Sequence, residues 1–404
     1  MAGHVIECGP QATGGNYAFF GEIPGLEHPG FPIAEVASDG SSVITKHPSH
    51  GGAVTIGTVT AQLLYEIGTP RYANPDVTAR FETIRLAVDP SGPDRVSITG
   101  VRGEPPPATA KVALNYLGGY RSTVTLYLTG LEVEAKAALA ERTLFAALAG
   151  GRDAFDSVDV QLVRSDHEDP ASNEEALAQL RITVKSADEL AVGRAFTSKV
   201  TEMALASYPG FFGGPASTQA YGVFWPTSVP ADLVRQEVVV VGGERFAVDP
   251  VLCHPSHETP PIPPGSPASP APARASTSRP SFGETRRVAL GRVLGARSGD
   301  KGGNANLGVW ARSDEGWAWL HEFLTTERLV ALMPELRSIA RVERYELGNL
   351  RALNFVLVGL LGEGVASSTR LDAQAKGLGE YLRAKHADVP VLLLHEVEAG
   401  TVER

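Results

Sequence analysis

Segment 298–306, "SGDKGGNAN", gathers groups suited to proton transfer and charge recognition. Asp300 can accept or deliver a proton, Lys301 can pair with a negative group, and the amides of Asn304 and Asn306 can hold a carbonyl oxygen. A hairpin connection needs only two or three turn residues, so the segment reads as a loop more heavily charged than connection requires. An equally weighted reading has Asp300 capping N–H groups of its own loop and Lys301 in solvent.

Two further segments carry reactive types. In 7–20, "ECGPQATGGNYAFF", Gly9, Gly14 and Gly15 allow positive φ and can present amides to a phosphate or carboxylate. Glu7 can serve as acid or base. Cys8 can be a nucleophile if its thiol pKa is lowered, but no histidine lies in the motif, and a free cysteine reads first as a buried structural residue. In 44–52, "ITKHPSHGG", Lys46 is an anion contact or an ordinary solvated lysine. Pro48 argues against a helix that would align His47 with His50, and no third ligand is near, so no metal site is expected. No redox-cofactor or phosphate-loop fingerprint is present, so no cofactor is expected either.

The elements that must position these residues follow from composition and pattern. The chain has 404 residues, is 43% hydrophobic and has a net charge of −10, which fits a globular protein of two or three domains and argues against nucleic acid or an anionic membrane as partner. Two widely separated cysteines, Cys8 and Cys253, suit a reducing compartment, and with no leader or spanning segment the expected location is the cytoplasm. Stretch 259–281 is almost wholly Pro, Ala, Ser and Thr, a composition that cannot bury a core. The expected organisation is a main α/β region, 1–258, a linker, 259–284, and a smaller α/β domain, 285–398.

Within the smaller domain, "RRVALGRVLGARSG" and "NLGVWAR" read as strands, 315–340 as helix interrupted at Pro334, "RVERYEL" and "ALNFVLVGLL" as strands, 371–388 as an amphipathic helix and "VPVLLLHE" as the closing strand. After a leading strand the order is β-α-β-β-α-β, the ferredoxin-like sandwich. A similar order upstream uses "STVTLYL", "DSVDVQLV", "QLRITVKS" and "EVVVV" as strands, with helices at 131–149 and 187–207. Segment 208–226 reads as an aromatic, glycine-rich loop, either a wall for an apolar ligand or an interface.

Taken together, "AGHVIECGPQATGGNYAFF", "GGAVTIGTVTAQLLYEIGTPRYANPDV", "DRVSITGVRGEPPP" and "ARSGDKGGNANLGVWAR" resemble the acyclic terpene utilisation (AtuA) family with its C-terminal ferredoxin-fold domain. The resemblance implies catabolism of citronellol- or geraniol-type terpenes, whose intermediates are acyl-CoA thioesters. Carried over residue by residue, it marks Glu7, Cys8, Gln11, Thr13, Gly14 and Gly15 in the first motif and Ser298, Asp300, Lys301, Asn304 and Asn306 in the last. Family members carry an additional α/β region before the first motif, so the expectation is a truncated start or a separate chain supplying that region.

The expected function is a catabolic enzyme acting on a branched acyl-CoA or related carboxylate by proton transfer, as a hydratase-type lyase or an isomerase, with Asp300 or Glu7 shuttling the proton and Lys301 and the glycine amides holding the acidic group. Two alternatives stand beside it: a non-catalytic binding or scaffold subunit that needs a partner supplying the missing N-terminal region, and a hydrolase or acyl transferase dependent on Cys8. The expected partners are an acidic or acyl-CoA small molecule and either a second copy of the chain or a separate chain carrying that region.

Overall fold

Strands and helices form where side-chain periodicity matches a face to bury, as a computed structural model of the chain shows over residues 1–249, 251 and 282–398. Stretch 259–281 and Cys253 lie outside these described residues. By its contacts the chain forms two units: the described residues of Met1–Ala113, Pro226–Val365 and Asp372–Arg404, and those of Leu114–Trp225 and Ala366–Leu371.

The first unit opens with helix α1 (Ala2–Ile6), a 3₁₀ turn over Gly9–Thr13, strands β1 (Pro32–Val36) and β2 (Ser42–Lys46), and helix α2 (Ile56–Leu63). Thr55 and Thr58 form a reciprocal capping box at the start of α2, which satisfies backbone donors that a helix terminus leaves open. Short strands β3 (Arg71–Ala73), β4 (Thr78–Arg80), β5 (Arg85–Val88), β6 (Val96–Thr99) and β7 (Arg102–Glu104) follow. They pair as an antiparallel sheet β1-β2-β6-β5 and a small sheet β3-β4-β7.

The second unit holds most of β8 (Thr109–Thr129), then α3 (Val133–Ala146), β9 (Ser157–Val163), β10 (Leu177–Ser186), α4 (Glu189–Val192), α5 (Arg194–Glu202), β11 (Phe212–Gly213) and the first part of β12 (Ser217–Pro230); its sheet runs β11-β8-β10-β9, with β12 on β8. Val124, Leu126 and Leu128 alternate inward on β8 and pack with Leu144 of α3 and Phe196 of α5, as a period of two requires. Two expectations change here. Segment 208–226 is largely strand, β11 and β12, rather than loop. "EVVVV" supplies β13 (Gln236–Val239), which pairs only with β14 (Arg245–Val248) in a separate hairpin.

The first unit, to which the β13–β14 hairpin already belongs, continues with β15 (Thr285–Ala289), β16 (Leu294–Lys301), β17 (Asn304–Ala311), α6 (Asp314–Phe323), α7 (Thr326–Leu332), β18 (Arg341–Leu347), β19 (Ala352–Val358), α8 (Leu378–Arg383), β20 (His386–Pro390) and α9 (Val391–Glu398). The sheet order is β16-β17-β19-β18, all antiparallel. Strand β19 thus lies between β17 and β18, the split βαβ of a ferredoxin-like domain. The leading strand β16 takes the edge beside β17, while β20 pairs with β15 instead. "VLLLHEVE" is helix, not the closing strand.

Both faces of this sheet are covered, which explains the unbroken burial of β16, β17 and β19. Leu307 and Val309 turn toward α6–α8 with Trp319 and Leu320, whereas Trp310 and Ala352 join a second core with Ile44, Val59 and Leu63 from the N-terminal elements. Residues upstream and downstream of 259–284 therefore share one unit. Close approach of α2 needs bare backbone in the strands: a Cβ on Gly308 would lie 2.6 Å from Leu64 Cβ, and one on Gly299 would lie 2.7 Å from a Tyr65 ring carbon.

Candidate functional site

Motif 298–306 is a hairpin and not an extended loop. Lys301 pairs with Asn304 and Asp300 with Ala305, so only Gly302 and Gly303 make the turn. The polar residues stand in the strands, and alternation sends Asn306 to the face against α2. There they engage the segment just after α2, "YEIG", 65–68.

Glu66 is the residue they hold. Its φ of +55° lies in the left-handed region, which costs a non-glycine residue free energy unless its surroundings fix it. The Glu66 N–H donates to Asn306 Oδ1 at 2.8 Å, and Lys301 Nζ donates to the Glu66 carbonyl at 2.8 Å. Asn306 Nδ2 donates to Leu64 O at 2.8 Å and to Asn354 Oδ1 at 2.7 Å, and Asn354 Nδ2 donates to Gly68 O at 2.6 Å. Both asparagines are fully buried, so this network can hold only if its members are satisfied.

The Glu66 side chain meets a lysine from the far end of the domain. Lys376 Nζ donates to Glu66 Oε1 at 2.7 Å and to the Tyr65 phenol, and lies 3.5 Å from Asp300 Oδ1. Asp372 holds the backbone of this turn by accepting from Lys376 N and Gly377 N, each at 2.8 Å. Ser298 Oγ donates to Lys376 O at 3.2 Å and accepts from Gly379 N at 3.0 Å.

Burial lowers the Lys376 pKa, but its hydrogen bonds to Glu66 and Tyr65 outweigh that and hold it above the usual lysine value. For Glu66 burial pushes upward, and the bonds from Lys376 and Tyr65, with the charges of Lys376 and Lys301, bring it below the usual carboxylate value. Tyr65 is raised by burial and by Glu66, against Lys376. At neutral pH the cluster therefore holds an ammonium, a carboxylate and a protonated phenol. Lys301, lowered by burial and by Lys111 against Glu66, Glu7 and Asp300, sits 5.7 Å from the centre of the Tyr72 ring.

Beside this cluster a cleft of about 610 Å³ is lined by Gln11, Asn16, Tyr17, Phe20, Tyr65, Arg297, Lys376 and Glu380, the last paired with Arg383. Arg297 lies flat against Tyr65, its guanidinium carbon 4.3 Å from the ring centre, and Nη2 donates to Gln11 Oε1 at 2.5 Å.

Several expected site residues lie elsewhere or are already engaged. Gly14 N donates to Gln11 O and Gly15 N to Pro10 O, so these two amides are taken up within the turn. Thr13 is buried, its hydroxyl in contact with Pro10 O and Gly30 O. Asn304 accepts from Gly359 N across the turn. Lys46 is buried, donates to His50 O at 2.8 Å and lies 3.2 Å from Asp94 Oδ2; it is neither a solvated lysine nor open to an anion. Cys8 is half-buried and its thiol faces Glu7 Oε1 at 3.7 Å. Burial pushes that thiol up, Gln62 pulls it down, and Glu7 and Glu66 push it up again, the opposite of an activated nucleophile. Tyr65, Glu66, Arg297 and Lys376 were not among the residues expected from sequence. The one signal available for Glu66 and Tyr65 was a charged residue beside an aromatic one at the end of an apolar helix.

The family model for the acyclic terpene utilisation family protein AtuA matches residues 1–240. The chain belongs to the AtuA family. The AtuA ferredoxin-like domain matches residues 288–388, which is the β16-β17-β19-β18 sheet with its helices. No curated protein and no solved structure matches the chain. AtuA membership carries a role in acyclic terpene utilisation, and it leaves the reaction to be argued from the site. Among the described residues, no helix is long and apolar enough to cross a membrane.

Proposed function

We propose that this AtuA-family chain is a catabolic enzyme that acts on a branched acyl-CoA or related carboxylate by proton transfer, in a hydration, dehydration or isomerisation. The observation that carries the reading is Lys376 held between Tyr65, Glu66 and Asp300 at the edge of a cleft. Removing a proton from the carbon next to a thioester carbonyl places negative charge on the carbonyl oxygen. The Lys376 ammonium, protonated at neutral pH and with three hydrogens to give, is a donor suited to that oxyanion, while the single proton of the Tyr65 phenol is engaged by Glu66, and a donor already fixed in place need not reorganise as the charge develops. Asp300, paired with Lys376, carries the proton. Glu66 keeps Lys376 charged and positioned. Glu7, exposed on the neighbouring α1 turn, is the second carboxylate available for transfer.

The test is exchange of the α-proton of a branched acyl-CoA thioester, 3-methylbutanoyl-CoA, in deuterated buffer, followed by NMR. Wild-type protein should catalyse exchange, Asp300→Asn should slow it about 100-fold with thioester binding kept, and Lys376→Met should abolish it. Exchange that persists in both variants would remove the proton-transfer reading.

A further inference from the structure

Arg297 is a buried arginine without a carboxylate partner among the described residues. It is 9% exposed, yet its hydrogen-bonding acceptor is the neutral Gln11 amide, its flat face lies on Tyr65, and Nε has no partner. Among the described residues no carboxylate lies within ion-pair distance of it. A guanidinium out of water without a counter-charge costs several kcal/mol, and natural folds pair such a group unless something else does. In the same cluster Lys376 is answered by Glu66 and Asp300, and Lys301 donates to the Glu66 carbonyl. Arg297 lines the same cleft as Lys376.

We propose that Arg297 is the anchor for a carboxylate of the substrate, bound flat in the cleft with Gln11 and Tyr65 holding the guanidinium in place. This rests on the proton-transfer reading for its reaction but not for its binding. The class of ligand follows from shape and charge. A guanidinium offers parallel N–H donors in one plane, which match a planar carboxylate in a two-point contact. The Tyr65 ring fixes the plane of the guanidinium and so of the anion. The substrate would then present a free carboxylate close to the Lys376–Tyr65 cluster, so an acyl thioester using both groups would carry a second, unesterified carboxyl on its acyl chain.

The experiment is calorimetric binding to the full chain with three probes: glutarate, its neutral diamide and inorganic phosphate. Glutarate should bind saturably, the diamide should not, and phosphate should bind at least about tenfold more weakly, because a tetrahedral anion fits the stacked plane less well. Arg297→Lys keeps the charge but loses the fork, and should weaken glutarate binding by about tenfold or more. Gln11→Glu supplies the missing counter-charge from within; it should raise the melting temperature and abolish glutarate binding, an outcome that a misfolded variant cannot imitate. Asp300→Asn should leave glutarate binding within about threefold of wild type, even where it stops α-proton exchange. Glutarate binding that survives both Arg297→Lys and Gln11→Glu, equal binding of phosphate, or no glutarate binding at all would each overturn the assignment. Loss of exchange activity with carboxylate binding intact, or the reverse, separates failure of the reaction from failure of the anchor.

Discussion

Replacing Asn306 with alanine tests the claim that the "SGDKGGNAN" hairpin exists to hold Glu66. The side chain makes three hydrogen bonds of 2.7 to 2.8 Å, to Leu64 O, to Asn354 Oδ1 and from Glu66 N, and it has no exposure. Each group left without a partner in such a place costs about 1–3 kcal/mol. The three costs do not simply add, because they belong to one network and a water entering the space of the lost amide can restore part of it. The expected loss is about 3–5 kcal/mol, near the top of the range for single substitutions. It would be read from chemical denaturation followed by tryptophan fluorescence, since Trp310 lies on the same strand and is buried in the shared core. Hydrogen exchange at the Glu66 amide should accelerate together with it. Asn306→Asp, which keeps the size but removes both donors and adds a charge, should cost at least as much. A loss below about 1 kcal/mol with unchanged exchange at Glu66 would show that the hairpin does not hold the 65–68 turn, and the positional argument for the site would fall with it.

Other outcomes follow from the ionisations. The Glu66 pKa is lower in the folded chain than its ordinary value of 4.5, so its stabilising contribution is present above that value and is lost as pH falls through the folded pKa. Below about pH 4.5 the melting temperature of wild type should therefore fall more steeply than that of Glu66→Gln; parallel acid limbs would contradict the ion pair with Lys376. The Cys8 thiol, raised by burial and by Glu7 and Glu66, should react with iodoacetamide at pH 7 more slowly than free glutathione does. Mass spectrometry would measure this, and rapid alkylation with loss of α-proton exchange would revive a thiol nucleophile.

Local pattern was enough for the elements that repeat a simple period. "RVERYEL" alternates and is the strand Arg341–Leu347, while "ALNFVLV" is apolar throughout and is the strand Ala352–Val358, covered on both faces. The order of these elements led to the ferredoxin-like domain, and the long motifs led to the AtuA family, because both are properties of the chain read in sequence. The charged motif was legible as unusual, but its form was not. A nine-residue run in which all but Ala305 are Ser, Gly, Asp, Lys or Asn has turn-like composition, and strand pairing overrode that propensity because β17 is enclosed between α2 and the ferredoxin-like helices. Gly299 and Gly308, which look like further loop residues, are the places where strand backbone admits Tyr65 and Leu64.

What only the tertiary structure decided is which charges meet. Lys376 and Glu66 are 310 positions apart and Arg297 and Gln11 are 286 apart, so no spacing rule links them. The pairing depends on α2 docking against a sheet formed nearly 240 residues later, as the 240-position separation of Glu66 and Asn306 records. A charge is answered by whatever the fold brings within a few ångströms, and the strength of that answer depends on how much water the same fold excludes. Residue types along the chain thus determined that acids, lysines and amides were available. Packing determined that Lys46 is answered by Asp94, that Lys376 is shared by Tyr65, Glu66 and Asp300, and that Arg297 is buried with no carboxylate of its own among the described residues.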